Sequence, residues 1–126
     1  MRSPVELAVD RYIRAWSEPD PMARSSLLET CFAADGRIIQ RSGETHGRAA
    51  LAEMIDHFVA DPQWRRVRIT SAIDAVGTTF RFRAAIDRHD GTTLELFDAG
   101  EIDATGRITL ILTFVDPLAE AGKNSG

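Results

Sequence analysis

Residues 92–115 read Thr-Thr-Leu-Glu-Leu-Phe-Asp-Ala-Gly-Glu-Ile-Asp, a break at Ala104-Thr105-Gly106, then Arg-Ile-Thr-Leu-Ile-Leu-Thr-Phe-Val. Both halves alternate apolar and polar residues, which is the period of a strand with one buried face. Leu94, Leu96, Gly100 and Ile102 share a face, and Asp98 stands among them. A carboxyl in a core-facing row is costly unless it is paired or stays protonated. That anomaly is the first pointer to a site.

Working outward, residues from Arg65 onward keep the same period and predict four long strands. Gly77-Thr78 fits a two-residue hairpin loop with Gly first, which sets Asp74 opposite Arg81 and Arg68 opposite Asp87. At Asp90-Gly91 a two-residue loop would mix the faces, because a one-residue slip inverts every side chain. A three-residue loop, His89-Asp90-Gly91, keeps the apolar row intact and puts Phe82 opposite Asp98. The same argument makes Ala104-Thr105-Gly106 a three-residue loop, placing Leu112 on the other side of Asp98. The inner row then runs from Val67 through Ser71, Ile73, Ala75, Phe82 and Ile86 to Leu110, Leu112 and Phe114. The outer row carries Ala72, Ala85, Phe97, Ala99, Ile111 and Val115. Such a semi-apolar outer face predicts packing against a second copy of the chain.

Toward the N-terminus the period is helical. Ser3-Pro4-Val5-Glu6 is a capped start, and Val5, Val9, Tyr12, Ile13 and Trp16 form one apolar stripe that ends before Glu18-Pro19. Asp20-Pro21 opens a second, short helix with Leu27, Leu28, Cys31 and Phe32 on its stripe, ending near Ala34-Asp35-Gly36. Residues 37–41 predict a short strand, and Thr45-His46-Gly47 a brief return strand. Leu51, Met54, Ile55, Phe58 and Val59 mark a third helix from about Arg48 to Ala60, stopped by Asp61-Pro62.

The 126 residues predict one domain over 1–116 and a frayed tail over 117–126, with Gly122-Lys123-Asn124-Ser125-Gly126 at its end. A net charge of −4 argues against a nucleic-acid surface, and the absence of a long apolar run against a membrane span. The single cysteine, Cys31, fits a reducing cytoplasm and reads as a buried, inert thiol. His46, His57 and His89 lie in different elements without metal-ligand spacing, so no metal is expected, and no nucleotide-cofactor fingerprint occurs.

Three helices followed by a long meander resemble the nuclear-transport-factor-2-like superfamily, the cystatin-like α+β cone. More narrowly, the chain resembles its SnoaL-like and ketosteroid-isomerase-like members. The resemblance rests on Tyr12-Ile13-Arg14-Ala15-Trp16 followed by Asp20, and on Leu27-Leu28 to Phe32-Ala33-Ala34-Asp35. It rests also on His46-Gly47-Arg48 and on Phe97-Asp98 leading to Gly106-Arg107-Ile108. It spans roughly residues 5–116 and implies an α+β fold: three N-terminal helices on a strongly curved mixed or antiparallel sheet, usually dimeric.

In ketosteroid isomerases a Tyr on the first helix and a protonated Asp on a late strand donate hydrogen bonds to a developing enolate, while a first-strand Asp shuttles the proton. The resemblance places Tyr12 and Asp98 in the first two roles. Gln40 stands where the base is expected, and an amide cannot accept and return a proton near neutral pH. The implied ligand is a small hydrophobic, carbonyl-bearing molecule in a cofactor-free pocket. Asp98 and Tyr12 would carry any chemistry, Gln40 would give a polar contact, and Trp16, Phe82 and Leu112 would shape the wall. His46 either lines the mouth of the cone or is a solvated turn histidine. A cofactor-independent isomerase, cyclase or hydrolase and a non-catalytic ligand-binding or dimerisation module both fit.

Overall fold

The computed structural model describes residues 2–115 and 121–122. Most of the expected tail, 117–126, therefore lies outside the described residues. Helix α1 (Pro4–Ala15) starts where Ser3 Oγ accepts from the Glu6 amide at 3.1 Å, with Pro4 in the first turn. Helix α2 (Pro21–Cys31) is capped by Asp20, whose carboxylate accepts from the Met22 amide at 3.3 Å. Helix α3 (Arg48–Ala60) follows Gly47, which takes a φ of 95° that side chains rarely adopt, and it buries Leu51 and Ile55 against the sheet.

Seven strands form one sheet: β1 (Phe32–Gln40), β2 (Gly43–His46), β3 (Trp64–Ile69), β4 (Asp74–Val76), β5 (Thr79–Arg88), β6 (Thr93–Ile102) and β7 (Ile108–Val115). Their order is β2-β1-β7-β6-β5-β3, with β4 also pairing β5. The sheet is mixed, because β1 runs parallel to β7 while the other pairs are antiparallel. The fold is thus the expected α+β arrangement of three helices on one sheet. Among the described residues no helix is long and apolar enough to cross a membrane.

Four local readings are corrected. The second helix ends at Cys31, and β1 starts at Phe32 rather than Arg37. Asp35-Gly36, expected at the helix end, lies inside β1; the pairing with β7 shifts between Phe32 and Arg37, and a side chain at Gly36 would meet the Phe32 ring at 2.5 Å. The strand expected from Arg65 onward divides into β3 and β4. Between them Ser71 Oγ accepts from the Arg83 amide at 2.8 Å, so a side chain replaces a ladder acceptor. That detour shifts the register by two, so Asp74 still faces Arg81 but Arg66, not Arg68, stands opposite Asp87. Both arginines nonetheless reach Asp87, each through Nε at 2.8 Å. Ser71 and Ala75, expected on the inner row, are exposed.

The fourth correction reaches the site. The three-residue loops at Gly91 and Gly106 form as expected, with φ of 88° and 82°, and Phe82 stands opposite Asp98. On β7, however, Ile102 faces Ile108 while Glu101 faces Leu110, leaving Thr109 as an extra residue. A bulge of this kind reverses the inside-outside alternation beyond it. Ile108 and Ile111 are both fully buried, so Ile111 belongs to the core and not to the outer face. Leu112 moves opposite Ala99, and Thr113 takes the expected place of Leu112 beside Asp98.

Candidate functional site

Helices α1 and α3 and the inner face of the sheet enclose a cavity of about 1000 Å³. Tyr12 and Trp16 reach it from α1, Met54 and Phe58 from α3, Gln40 from the end of β1, and Asp98 from the middle of β6. Most of its wall is apolar, with Ile38, Val67, Ala84, Ile86, Leu94 and Leu96 contributing. Trp16, Phe58 and Trp64 form an aromatic cluster with ring centroids 4.8–6.2 Å apart. Such a lining suits a small apolar ligand held by a few polar groups.

Asp98 is 4% exposed and Tyr12 3%. Burial pushes the Asp98 carboxyl up to about 7, while a hydrogen bond from Thr113 pulls the other way. Among the described residues Asp98 Oδ1 has no hydrogen-bond partner. A buried polar atom left in that condition is uncommon, and a ligand is one way of satisfying it. Tyr12 is raised well above its ordinary range, chiefly by burial and then by the Asp98 charge; the Trp16 side chain acts in the opposite direction. The phenol therefore stays protonated at neutral pH and can donate. The carboxyl can exist in either form near pH 7, which suits proton transfer as well as donation.

Gln40 is half-buried at the cavity wall. Its Nε2 points at Met54 Sδ (3.8 Å), and Thr45 Oγ1 approaches the same sulfur at 3.7 Å. One N–H of the amide is thereby spent on the sulfur, and the second N–H and the amide oxygen are left for other partners.

The structure brings Tyr12, Trp16, Gln40 and Asp98 to one cavity; Leu112 and Phe114 touch its border on β7, although the bulge pairs them with Ala99 and Phe97 of the outer face rather than with Asp98. Two expected contacts are not there. Phe82 is 1% exposed and stacks on Phe80 within the core, with no surface among the lining residues. His46 is exposed on β2, paired with Arg37 and away from the cavity, as a solvated turn histidine would be. Missing from the sequence reading were Thr113, hidden by the bulge, Trp64, just outside the strand expected from Arg65, and Met54 and Phe58, which it took only as helix stripe. Arg88 was also missed: it lines the cavity at the far end of the β5 row that holds Phe80, Phe82, Ala84 and Ile86. Carrying the alternation one step past Ile86 reveals it.

An α+β cone of three helices and a mixed sheet around an apolar cavity with an acid in its wall defines an NTF2-like protein. The SnoaL-like domain profile matches residues 9–111, and the chain belongs to that family. Solved structures agree on the fold. A candidate isomerase of the SnoaL-like family from Agrobacterium tumefaciens superposes with a TM-score of 0.78 at 23% identity, covering 92% of this chain and 100% of that one. A cystatin-like protein of unknown function from Methylobium petroleophilum gives 0.78 at 18%, covering 98% and 82%. An NTF2-like protein of unknown function from Exiguobacterium gives 0.66 at 19%, covering 88% and 99%. No curated protein matches the sequence.

Proposed function

We propose that the cavity takes a small hydrophobic, carbonyl-bearing molecule and that Asp98 acts on it as proton donor and acceptor, without a cofactor. The observation that carries this reading is one buried carboxyl, held near 7 in an apolar wall, with an oxygen that lacks a partner among the described residues. Tyr12 would orient the ligand oxygen, and Gln40 would offer its amide oxygen to a ligand donor. With no carboxylate at Gln40, one group must both take and return the proton, as in an enolisation-type isomerisation or ring closure. The likeness to a candidate isomerase is consistent with this chemistry.

The test is deuterium exchange at the carbon next to the carbonyl in a panel of apolar ketones, followed by NMR in D2O. Exchange that exceeds buffer and is lost in Asp98→Asn supports catalysis. A panel that binds, shifts the Asp98 signal and never exchanges would establish the second reading, a ligand-binding module. Anchoring of Gln40 on Met54 favours that alternative, since the expected base position is built as a fixed amide.

We further propose that the chain forms a homodimer through its outer sheet face. The bulge turns Leu110, Leu112 and Phe114 toward the side that already holds Phe97 and Ala99, and Phe114 is 48% exposed. Light scattering at micromolar concentration should give twice the chain mass. A monomer would refute the proposal.

A further inference from the structure

Besides Asp98 the cavity lining contains Arg41, Asp61 and Arg88, charged groups whose chemistry the Asp98 reading leaves unused. Arg88 follows Ile86 on the inner row of β5 and is half-buried where that row meets Trp64 of β3. Four other strand arginines hold carboxylates: Arg66 and Arg68 hold Asp87, Arg81 holds Asp74, and Arg37 holds Glu44, while Arg83 lies over the Phe97 ring. None of the ion pairs among the described residues includes Arg88. The nearby carboxylate and the other carboxylate of the cavity rim each carry local hydrogen bonds. Asp90, which senses the Arg88 charge, accepts from the Thr92 amide at 2.9 Å and hydroxyl at 2.6 Å. Asp61, also on the cavity rim, accepts from the Gln63 amide at 2.9 Å.

A half-buried guanidinium beside an apolar wall loses hydration and, among the described residues, lacks the planar acceptor that its donor fork fits. We propose that the ligand is an apolar carboxylate whose anionic end is taken by Arg88, while its body fills the aromatic part of the cavity toward Asp98. Arg41 also lines the cavity but already has an interaction of its own, so Arg88 is left to balance a monoanion. A phosphate dianion would leave surplus negative charge in an apolar cavity that also holds Asp61 and Asp98, so a carboxylate fits better. The inference rests on the cavity being a ligand site and narrows the substrate class to a keto acid with an apolar body.

The experiment compares 4-phenylbutanoate with 4-phenylbutanamide, which share a body and differ in charge. Trp16 and Trp64 are the two tryptophans of the chain and both line the cavity, so their indole N–H signals in NMR report occupancy. The wild-type protein should bind the carboxylate about 10-fold more tightly than the amide, the size expected for one charge-assisted contact. In Arg88→Leu the two affinities should converge, while Arg88→Lys should keep part of the preference and the amide should bind alike throughout. Equal affinities in the wild type would overturn this inference and leave the cavity reading standing, and that comparison needs no variant to fold. Equal weakening of both ligands by Arg88→Leu would also overturn it. If neither compound moves an indole signal, the ligand-site reading falls and takes this inference with it.

Discussion

Asp98 on β6 and Thr113 on β7 stand directly opposite each other, because the bulge at Thr109 has displaced Leu112 from that position. The bulge therefore sets the acid's environment: a hydroxyl stands where unbroken alternation would put a leucine. The Thr113 hydrogen bond lowers a carboxyl that burial raises to about 7. Thr113→Val keeps the shape and removes the donor, so the Asp98 pKa should rise by about one unit, the equivalent of a net hydrogen bond of ~1.4 kcal/mol. Carboxyl-carbon NMR titration of the two proteins measures it. An unchanged midpoint would show that burial alone sets the acid.

The raised carboxyl makes stability depend on pH in an unusual direction. An unfolded Asp ionises near 3.9, whereas Asp98 in the fold holds its proton to about 7. Between those values the folded state binds more protons, so stability falls as pH rises through the window and is flat above it. At 1.36 kcal/mol per unit the full loss is on the order of 4 kcal/mol. From pH 5 to pH 8 wild-type Tm should drop by roughly 5–10 °C more than that of Asp98→Asn. Thermal melts at the two pH values read the difference. Asp87, held well below the usual carboxylate range mainly by Arg68 and then Arg66, acts oppositely: its contribution is present above about pH 4 and is lost as pH falls.

The cone was legible because its signals are local. Capping residues mark α1 and α2, and the stripe from Leu51 to Val59 marks α3. Glycines able to take a positive φ fix the loops at Gly91 and Gly106. Parity then placed Asp98 inside and Phe82 opposite it, as the sheet has them. Parity fails where an extra residue enters a strand without leaving a sequence signature. Thr109 on β7 is such a residue. The detour at residues 70–73 adds two residues instead, which keeps the parity of β3 but moves its register, and it is marked by the Ser71 and Thr70 bonds to Arg83. The site residues that escaped notice, Trp64, Met54 and Phe58, have types that serve a core equally well. Only the three-dimensional arrangement shows that they face a cavity.

Gly100 is the residue on which the backbone near the site closes. A Cβ there would run into the Leu110 carbonyl of β7 and come within 2.7 Å of the Phe80 ring. The first obstacle is backbone, so it cannot swing aside. Gly100→Ala should cost about 1–3 kcal/mol, the usual size of an overpacking penalty, and should disturb Asp98 two residues away. Urea unfolding measures the cost. A variant as stable as wild type would mean that β7 shifts freely at the bulge.

Gln40 offers the sharpest test of what the cavity lacks. Gln40→Glu preserves length and replaces an amide with a titratable carboxyl in the same wall. Its contact with Met54 Sδ, now made through Nε2 at 3.8 Å, would lose its donor once the new group ionises. A carboxylate sharing a low-dielectric cavity with Asp98 disfavours a second charge, so the pair should titrate in two separated steps, the upper one above the wild-type value of about 7. If the cavity accepts carbonyl ligands, the new base should also accelerate exchange of the proton next to the carbonyl by about 10²-fold or more, the lower range for a positioned general base. NMR follows both effects on one sample. Separated titration without faster exchange would indicate that Gln40 faces the cavity but not the reacting carbon. A single unshifted step would show that the two positions do not share an environment.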